Sequence, residues 1–156
     1  PMKRLMFRLE KDDLKQLRDL ALKEHDDFFK RNPHLKKSYH NSLIGICLCQ
    51  GAALHYLDHK TGIADFDLWH FYLADDRQNF PYRAHKVDEQ GYKGVKIDYL
   101  KRAIPRKLYL SNERKPEKAI IEFIRTRKTK TKTLLDKAII GLHPADSLGT
   151  VFWPKK

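Results

Sequence analysis

The apolar run Leu43–Cys49 is the sequence feature that most constrains the fold. Because the run is short, uncharged and partly β-branched, it predicts a buried strand. Gln50-Gly51 ends this strand, and the residues that follow, up to Leu57, predict a short helix. A second strand, rich in aromatic residues, is predicted over Ile63–Leu73. Strand, glycine turn, helix and strand in this order indicate an α/β fold.

The segment before this unit predicts one long helix. Asp12 or Asp13 can cap its start, and Asn32-Pro33 predicts its end. The basic stretch His34–His40 is predicted to be a connector.

The segment after this unit predicts a hairpin and then helices. Tyr82–Val87 and Gly94–Ile104 flank a polar turn, Pro116 is placed to begin a helix, and a further helix is predicted over Leu134–Leu142. We therefore predict an α/β (α+β) fold in one domain over 1–156, with a small mixed sheet, an N-terminal helix and a helical C-terminal extension over 115–156.

The formal net charge of +12 constrains the partners. Such a surface attracts densely negative molecules, of which nucleic acid is the leading candidate, although a basic surface can also serve solubility alone. No apolar run reaches the ~20 residues of a membrane helix, and residues 1–10 contain no uninterrupted hydrophobic stretch. We expect a soluble, untargeted protein without a membrane partner.

Two cysteines, Cys47 and Cys49, are predicted to share one face of the first strand, where they do not reach disulfide geometry. We interpret them as buried thiols and expect a cytoplasmic location. His55 and His59 have a spacing that can bind metal. Without a third ligand in view, we interpret both as helix-surface residues.

Three acidic residues carry the functional hypothesis. Asp65 and Asp67 alternate along the second strand, which places both carboxylates on one face. Like charges so close together favour a cation between them, and carboxylate oxygens suit Mg²⁺ (or Mn²⁺). Asp98 interrupts an apolar strand pattern and completes the site if its strand lies beside the second one.

The glycine turn, the Asp65-x-Asp67 pair and Asp98 together resemble the nucleotidyltransferase superfamily. The segment from Gln50 to Leu54 is similar to the turn of abortive-infection toxin members of toxin-antitoxin systems. The resemblance covers roughly Leu43 to Leu100, and it implies that the three acids bind metal and catalyse transfer of a nucleotidyl group from a nucleoside triphosphate to an acceptor. Asp98 would orient or deprotonate the acceptor hydroxyl.

The turn departs from the family pattern at two positions. Gln50 and Ala52 replace a second glycine and a hydroxyl residue that contacts phosphate. The backbone around Gly51 still offers an anion site at the start of a helix. The candidate phosphate-binding residues are Gln50, Gly51, Ala52, Lys60, Lys96, Lys101 and Arg102.

The basic and threonine-rich tract 125–133 is the candidate nucleic-acid contact, or else a solvated loop. Its cationic residues are Arg125, Arg127, Lys128, Lys130 and Lys132. Trp69 is either a core residue or a stacking platform for a base.

We predict a metal-dependent nucleotidyltransferase that acts on RNA. The acceptor end of tRNA is one candidate acceptor, and a protein is another. A cognate partner protein is a further candidate partner. The first alternative is a fold that has lost transfer chemistry and binds nucleic acid or a partner protein. A metal-dependent nuclease fits less well, because Tyr99-Leu100-Lys101 follows Asp98 in place of a Glu-x-Lys pattern.

Overall fold

The computed structural model describes residues 8–82, 84–128 and 130–155, and for Lys130 it describes the backbone alone. Most of the amino-terminal stretch 1–10 that bears on targeting therefore lies outside the described residues, as does Thr129 of the basic tract. Within the described part of the chain, no helix is both long and apolar enough to cross a membrane.

The chain folds into five α-helices, two 3₁₀ segments and six strands within its described residues. The helices are α1 (Lys11–Arg31), α2 (Pro33–Tyr39), α3 (Gln50–Asp58), α4 (Arg106–Ser111) and α5 (Pro116–Arg125), and the 3₁₀ segments cover Lys130–Asp136 and Ala145–Ser147. The strands are β1 (Leu43–Cys49), β2 (Phe66–Leu73), β3 (Ala84–Tyr92), β4 (Val95–Ile104), β5 (Ile139–His143) and β6 (Val151–Trp153).

All six strands form one mixed sheet in the order β3-β4-β2-β1-β5-β6. Strands β2 and β4 pair in parallel, and the other neighbours pair antiparallel. The predicted α/β (α+β) class with a small mixed sheet is confirmed. Because helices cover both faces of the sheet at β1, this strand is buried on both sides, which explains its continuous apolar character.

Helices cover the two faces of the sheet. On one face, α1 and α3 pack against the sheet through a core that includes Leu14, Leu17 and Ala53. On the other face, α5 contributes Ile120 and Phe123 to a second core. Apolar positions at helical spacing on α5 and a proline in its first turn explain why this helix forms where the sequence predicted it.

Several local predictions are wrong. The N-cap of α1 is Glu10, so neither Asp12 nor Asp13 caps this helix. Strand β3 continues to Tyr92, through most of the stretch that was predicted to be a turn.

The connector His34–His40 is mostly helical, because Pro33 ends α1 and also supplies the first turn of α2. The predicted helix Leu134–Leu142 is a 3₁₀ segment followed by strand β5. β5 pairs with β1, so region 115–156 is not a helical extension but supplies two strands of the sheet. Periodicity alone does not separate a short buried strand from a helix.

Candidate functional site

Asp67 and Asp98 lie near the starts of the parallel strands β2 and β4, where they are register partners. Side-chain alternation places both on the sheet face that also carries Trp69. Asp65 immediately precedes β2, and one carboxylate oxygen from each of the three residues lies within 4.8 Å of the others. The structure therefore brings together the three acids that the sequence singled out, although Asp65 lies outside the strand that was predicted to contain it.

The amino end of α3 lies beside this cluster. Cys49, the last residue of β1, pairs with Asp67, and α3 begins at the next residue, Gln50. The chain turns from strand to helix through Gln50, whose φ is 65°. This left-handed conformation costs a non-glycine residue roughly 1–2 kcal/mol, and such strain is concentrated at functional sites. The first backbone N–H groups of α3 lack helical acceptors and can bind an anion.

The environment of Asp67 disfavours its negative charge. Burial, followed by the charges of Asp65 and Asp98, raises the pKa of Asp67 to about 7, and the ammonium of Lys96 opposes this rise. Three carboxylates at this spacing are therefore difficult to ionise together without a cation. Oxygen ligands of this kind match the preferences of Mg²⁺ and Mn²⁺, so the residues present fit a divalent metal.

Two basic side chains approach Asp98. Lys96 Nζ lies 4.0 Å from one carboxylate oxygen, and His85 Nε2 lies 3.8 Å from the other. Lys96 was one of the predicted phosphate-binding residues, and the structure places it at the site. His85 was missed, because its proximity depends on the β3–β4 register, which no local pattern in the sequence specifies.

Lys101 is not at the site, which corrects its prediction as a phosphate ligand. Alternation along β4 places it on the face opposite Asp98. It is fully buried there, and its Nζ donates to Glu24 at 2.7 Å. Arg102, the next residue, is on the acidic face, with its guanidinium over the Trp69 ring. Lys60 is exposed in the turn after α3, where its backbone N–H donates to Asp58.

The turn residues differ in what they can offer a phosphate. Ala52 is buried in the core, so its backbone alone can contribute. A Cβ at Gly51 would lie 3.8 Å from the carbonyl oxygen of Gly62, an ordinary contact, so steric crowding does not require glycine there. Within α3 the sequence supplies no hydroxyl group before Tyr56.

The basic tract begins at the end of α5 and continues into the 3₁₀ segment. Arg125 is exposed and lies 3.8 Å from Glu122, whereas the Arg127 guanidinium lies over the Phe123 ring at 4.6 Å. Lys128 and Lys132 are exposed. Phe123 packs against Phe71, so the tract follows a helix that covers the acid-bearing face of the sheet.

Other residues that drew attention in the sequence have structural roles. His55 is buried, so its interpretation as a helix-surface residue is wrong, whereas His59 is exposed just after α3. Both ring nitrogens of His55 are hydrogen-bonded, one accepting from the Leu9 N–H and the other donating to the Thr61 carbonyl. Cys47 and Cys49 are buried free thiols, as predicted. Trp69 is nearly buried and stacks on Phe71.

The fold and the site together define an α/β protein with a three-carboxylate cluster beside a helix amino end. In comparisons with protein-family models, curated proteins and solved structures, nothing matched this chain.

Proposed function

We propose that this chain is a metal-dependent nucleotidyltransferase that transfers a nucleotidyl group from a nucleoside triphosphate to RNA, with tRNA as one candidate acceptor. One observation carries the proposal. Asp65, Asp67 and Asp98 offer carboxylate oxygens within 4.8 Å of one another, next to the amino end of α3.

Each part of the cluster has a task in this reaction. Bound Mg²⁺ or Mn²⁺ would neutralise charge on the triphosphate and polarise the reacting phosphate. Asp65 and Asp67 would hold the metal, and the first N–H groups of α3 would bind phosphate oxygens. Asp98 accepts the proton of the acceptor hydroxyl, whose oxygen forms a bond to the α-phosphorus as the bond to the pyrophosphate oxygen breaks.

The charge distribution supports RNA as the acceptor. The net charge of +12 favours a polyanion over a small neutral acceptor. Arg125, the last residue of the helix that covers the acid-bearing face, and Lys128 beyond it are both exposed. Contacts to phosphate of this kind supply affinity without sequence specificity.

The test is a transfer assay with Mg²⁺ or Mn²⁺, each labelled nucleoside triphosphate and total RNA. The Asp67→Asn and Asp65→Asn variants keep the shape of the side chain and remove its charge. Asp136→Asn is a matched control, because Asp136 is exposed in the 3₁₀ segment after the basic tract. We expect label on RNA with the wild type and the control, and at least a hundredfold loss with either site variant. Shortened RNA in place of labelled RNA would indicate a nuclease.

A second candidate function follows from the turn. Ala52 is buried and α3 supplies no hydroxyl near its start, so the chain has a weaker triphosphate cradle than the family it resembles. A module that binds nucleic acid or a partner protein without transfer chemistry would have this feature. Salt-sensitive RNA binding with neither labelling nor cleavage would favour it.

A further inference from the structure

A large cavity lies at the ends of β2 and β4 that are remote from the acidic cluster. It has a volume of about 680 Å³ and is bounded by the loop after β2, by α5 and by the residues that follow α5. Sites for small organic ligands typically span ~300–1,000 Å³. The cavity can therefore accommodate a nucleotide but not a nucleic-acid duplex.

Part of the cavity lining is aromatic. The Phe80 ring stacks on Tyr72 at 5.1 Å and meets Tyr39 edge to face at 5.0 Å. The Tyr39 hydroxyl also hydrogen-bonds the loop backbone at Gln78. Tyr82 is also part of the lining, but 76% of its surface is exposed. Such exposure is unusual for a large aromatic side chain, and a base can approach the ring from solvent.

The lining also includes two guanidinium groups that lie over aromatic rings. Arg102 lies over Trp69 at 4.9 Å, and Arg127 lies over Phe123 at 4.6 Å. The buried Nε of Arg127 has no hydrogen-bond acceptor among the described residues. A guanidinium that is partly desolvated and stacked in this way is well suited to bind phosphate. Of the two acids in the lining, Asp75 is paired with Arg77 and Asp76 is exposed.

We propose that this cavity binds an unpaired nucleotide of single-stranded RNA, with its base against Tyr82 and its phosphate at Arg102 and Arg127. Aromatic platforms combined with cationic side chains are the usual means of binding unpaired bases. The identity of the RNA as the acceptor rests on the proposed function, whereas binding at the cavity does not require the acidic cluster.

The cavity and the acids are arranged along one strand. Arg102 follows Asp98 by four residues on β4, so both lie on the same face of the sheet. Four residues of extended strand separate them by about 13 Å. A single strand anchored in the cavity can thus direct its end toward the carboxylates, which assigns the cavity the role of positioning the acceptor.

The test measures fluorescence anisotropy of a short, end-labelled, single-stranded RNA with the full-length protein, without nucleotide or metal. Tyr82→Ala removes an exposed ring and Tyr82→Phe retains it. Arg127→Gln removes one positive charge at the cavity, and Lys23→Gln removes one from exposed α1 as a matched control. We expect Tyr82→Ala and Arg127→Gln each to weaken binding about tenfold, and Tyr82→Phe and Lys23→Gln to bind within twofold of the wild type.

The same RNA in duplex form provides the second arm. We expect it to bind at least tenfold more weakly than the single strand, because its bases are not free to stack. Equal binding of single strand and duplex would overturn the proposal, as would equal affinities of the cavity variants and Lys23→Gln. Loss of binding in the cavity variants without any transfer by the wild type would refute the proposed function and leave the cavity assignment standing.

Discussion

Asp67 and Asp98 face each other as register partners on the parallel strands β2 and β4. Two carboxylates that lie directly opposite each other on neighbouring strands destabilise the sheet unless a proton or a cation compensates their charges. Burial together with the neighbouring Asp65 and Asp98 raises the pKa of Asp67 to about 7. Ionisation of Asp67 therefore destabilises the folded state when no cation lies close to it.

The stability of the protein should therefore depend on the charge of Asp67. The folded-state pKa of about 7 lies above the ordinary value of 3.8, so the folded state binds more protons than the unfolded state between these values. Stability consequently falls as the pH rises through this window. We expect Asp67→Asn to be about 2 kcal/mol more stable than the wild type at roughly pH 8, with no gain near pH 3.5. Urea unfolding in metal-free buffer measures this, and Asp136→Asn should show no such difference.

Binding of a divalent cation should offset the loss of stability that ionisation of Asp67 causes. At a concentration of Mn²⁺ or Mg²⁺ about a hundred times its dissociation constant, binding stabilises the folded state by about 2.7 kcal/mol. We expect a rise in Tm of roughly 8 °C for the wild type. The rise should shrink at about pH 5, where protons compete for Asp67, and it should be abolished in Asp67→Asn. An equal rise in that variant would show that the metal binds elsewhere.

The buried Glu24 should be essential to the core on the other face. Its carboxylate accepts from Lys101 Nζ and from Arg31, each at 2.7 Å. Burial favours a raised pKa, but the bonds and charges of Arg31 and Lys101 outweigh it and hold the pKa of Glu24 below its ordinary value.

Replacing Glu24 leaves the fully buried Lys101 ammonium without its counter-charge. We expect Glu24→Gln to cost about 3 kcal/mol of unfolding free energy. Asp27→Asn on the same helix breaks an exposed pair with Lys23 and should cost less than ~0.5 kcal/mol. Equilibrium denaturation measures the unfolding free energy of both variants. Similar losses in the two variants would contradict the structural role that we assign to the buried Glu24–Lys101 pair.

Gly141 should be required for β5 to enter the sheet. A Cβ at this position would lie 2.5 Å from the carbonyl oxygen of Ser147 and 2.8 Å from the Phe152 ring. Since a backbone atom cannot easily move away, we expect Gly141→Ala to destabilise the protein by about 3 kcal/mol. Gly94→Ala is the comparison, because Gly94 has open space around it but a φ of +79°. It should cost only about 1 kcal/mol of backbone strain, and thermal unfolding distinguishes the two.

Local sequence patterns predicted the elements whose signals lie within a few residues. The apolar run Leu43–Cys49 indicated β1, and Pro116 with its apolar periodicity indicated α5, as the structure confirms. The same kind of evidence failed at Ile139–His143, where a short apolar run is compatible with helix or strand. Its partner, β1, lies about ninety residues earlier in the chain, and pairing with it decides the conformation.

The residues of the candidate site were likewise predicted only in part from the sequence. The sequence by itself determined which side chains are candidates for the site, because Asp65, Asp67 and Asp98 interrupt apolar or aromatic segments in which a carboxylate is unexpected. Only the tertiary structure decided which residues meet them. Strand register brought His85 to Asp98 and turned Lys101 to the opposite face, because a shift of one residue along a strand reverses the side that a residue faces.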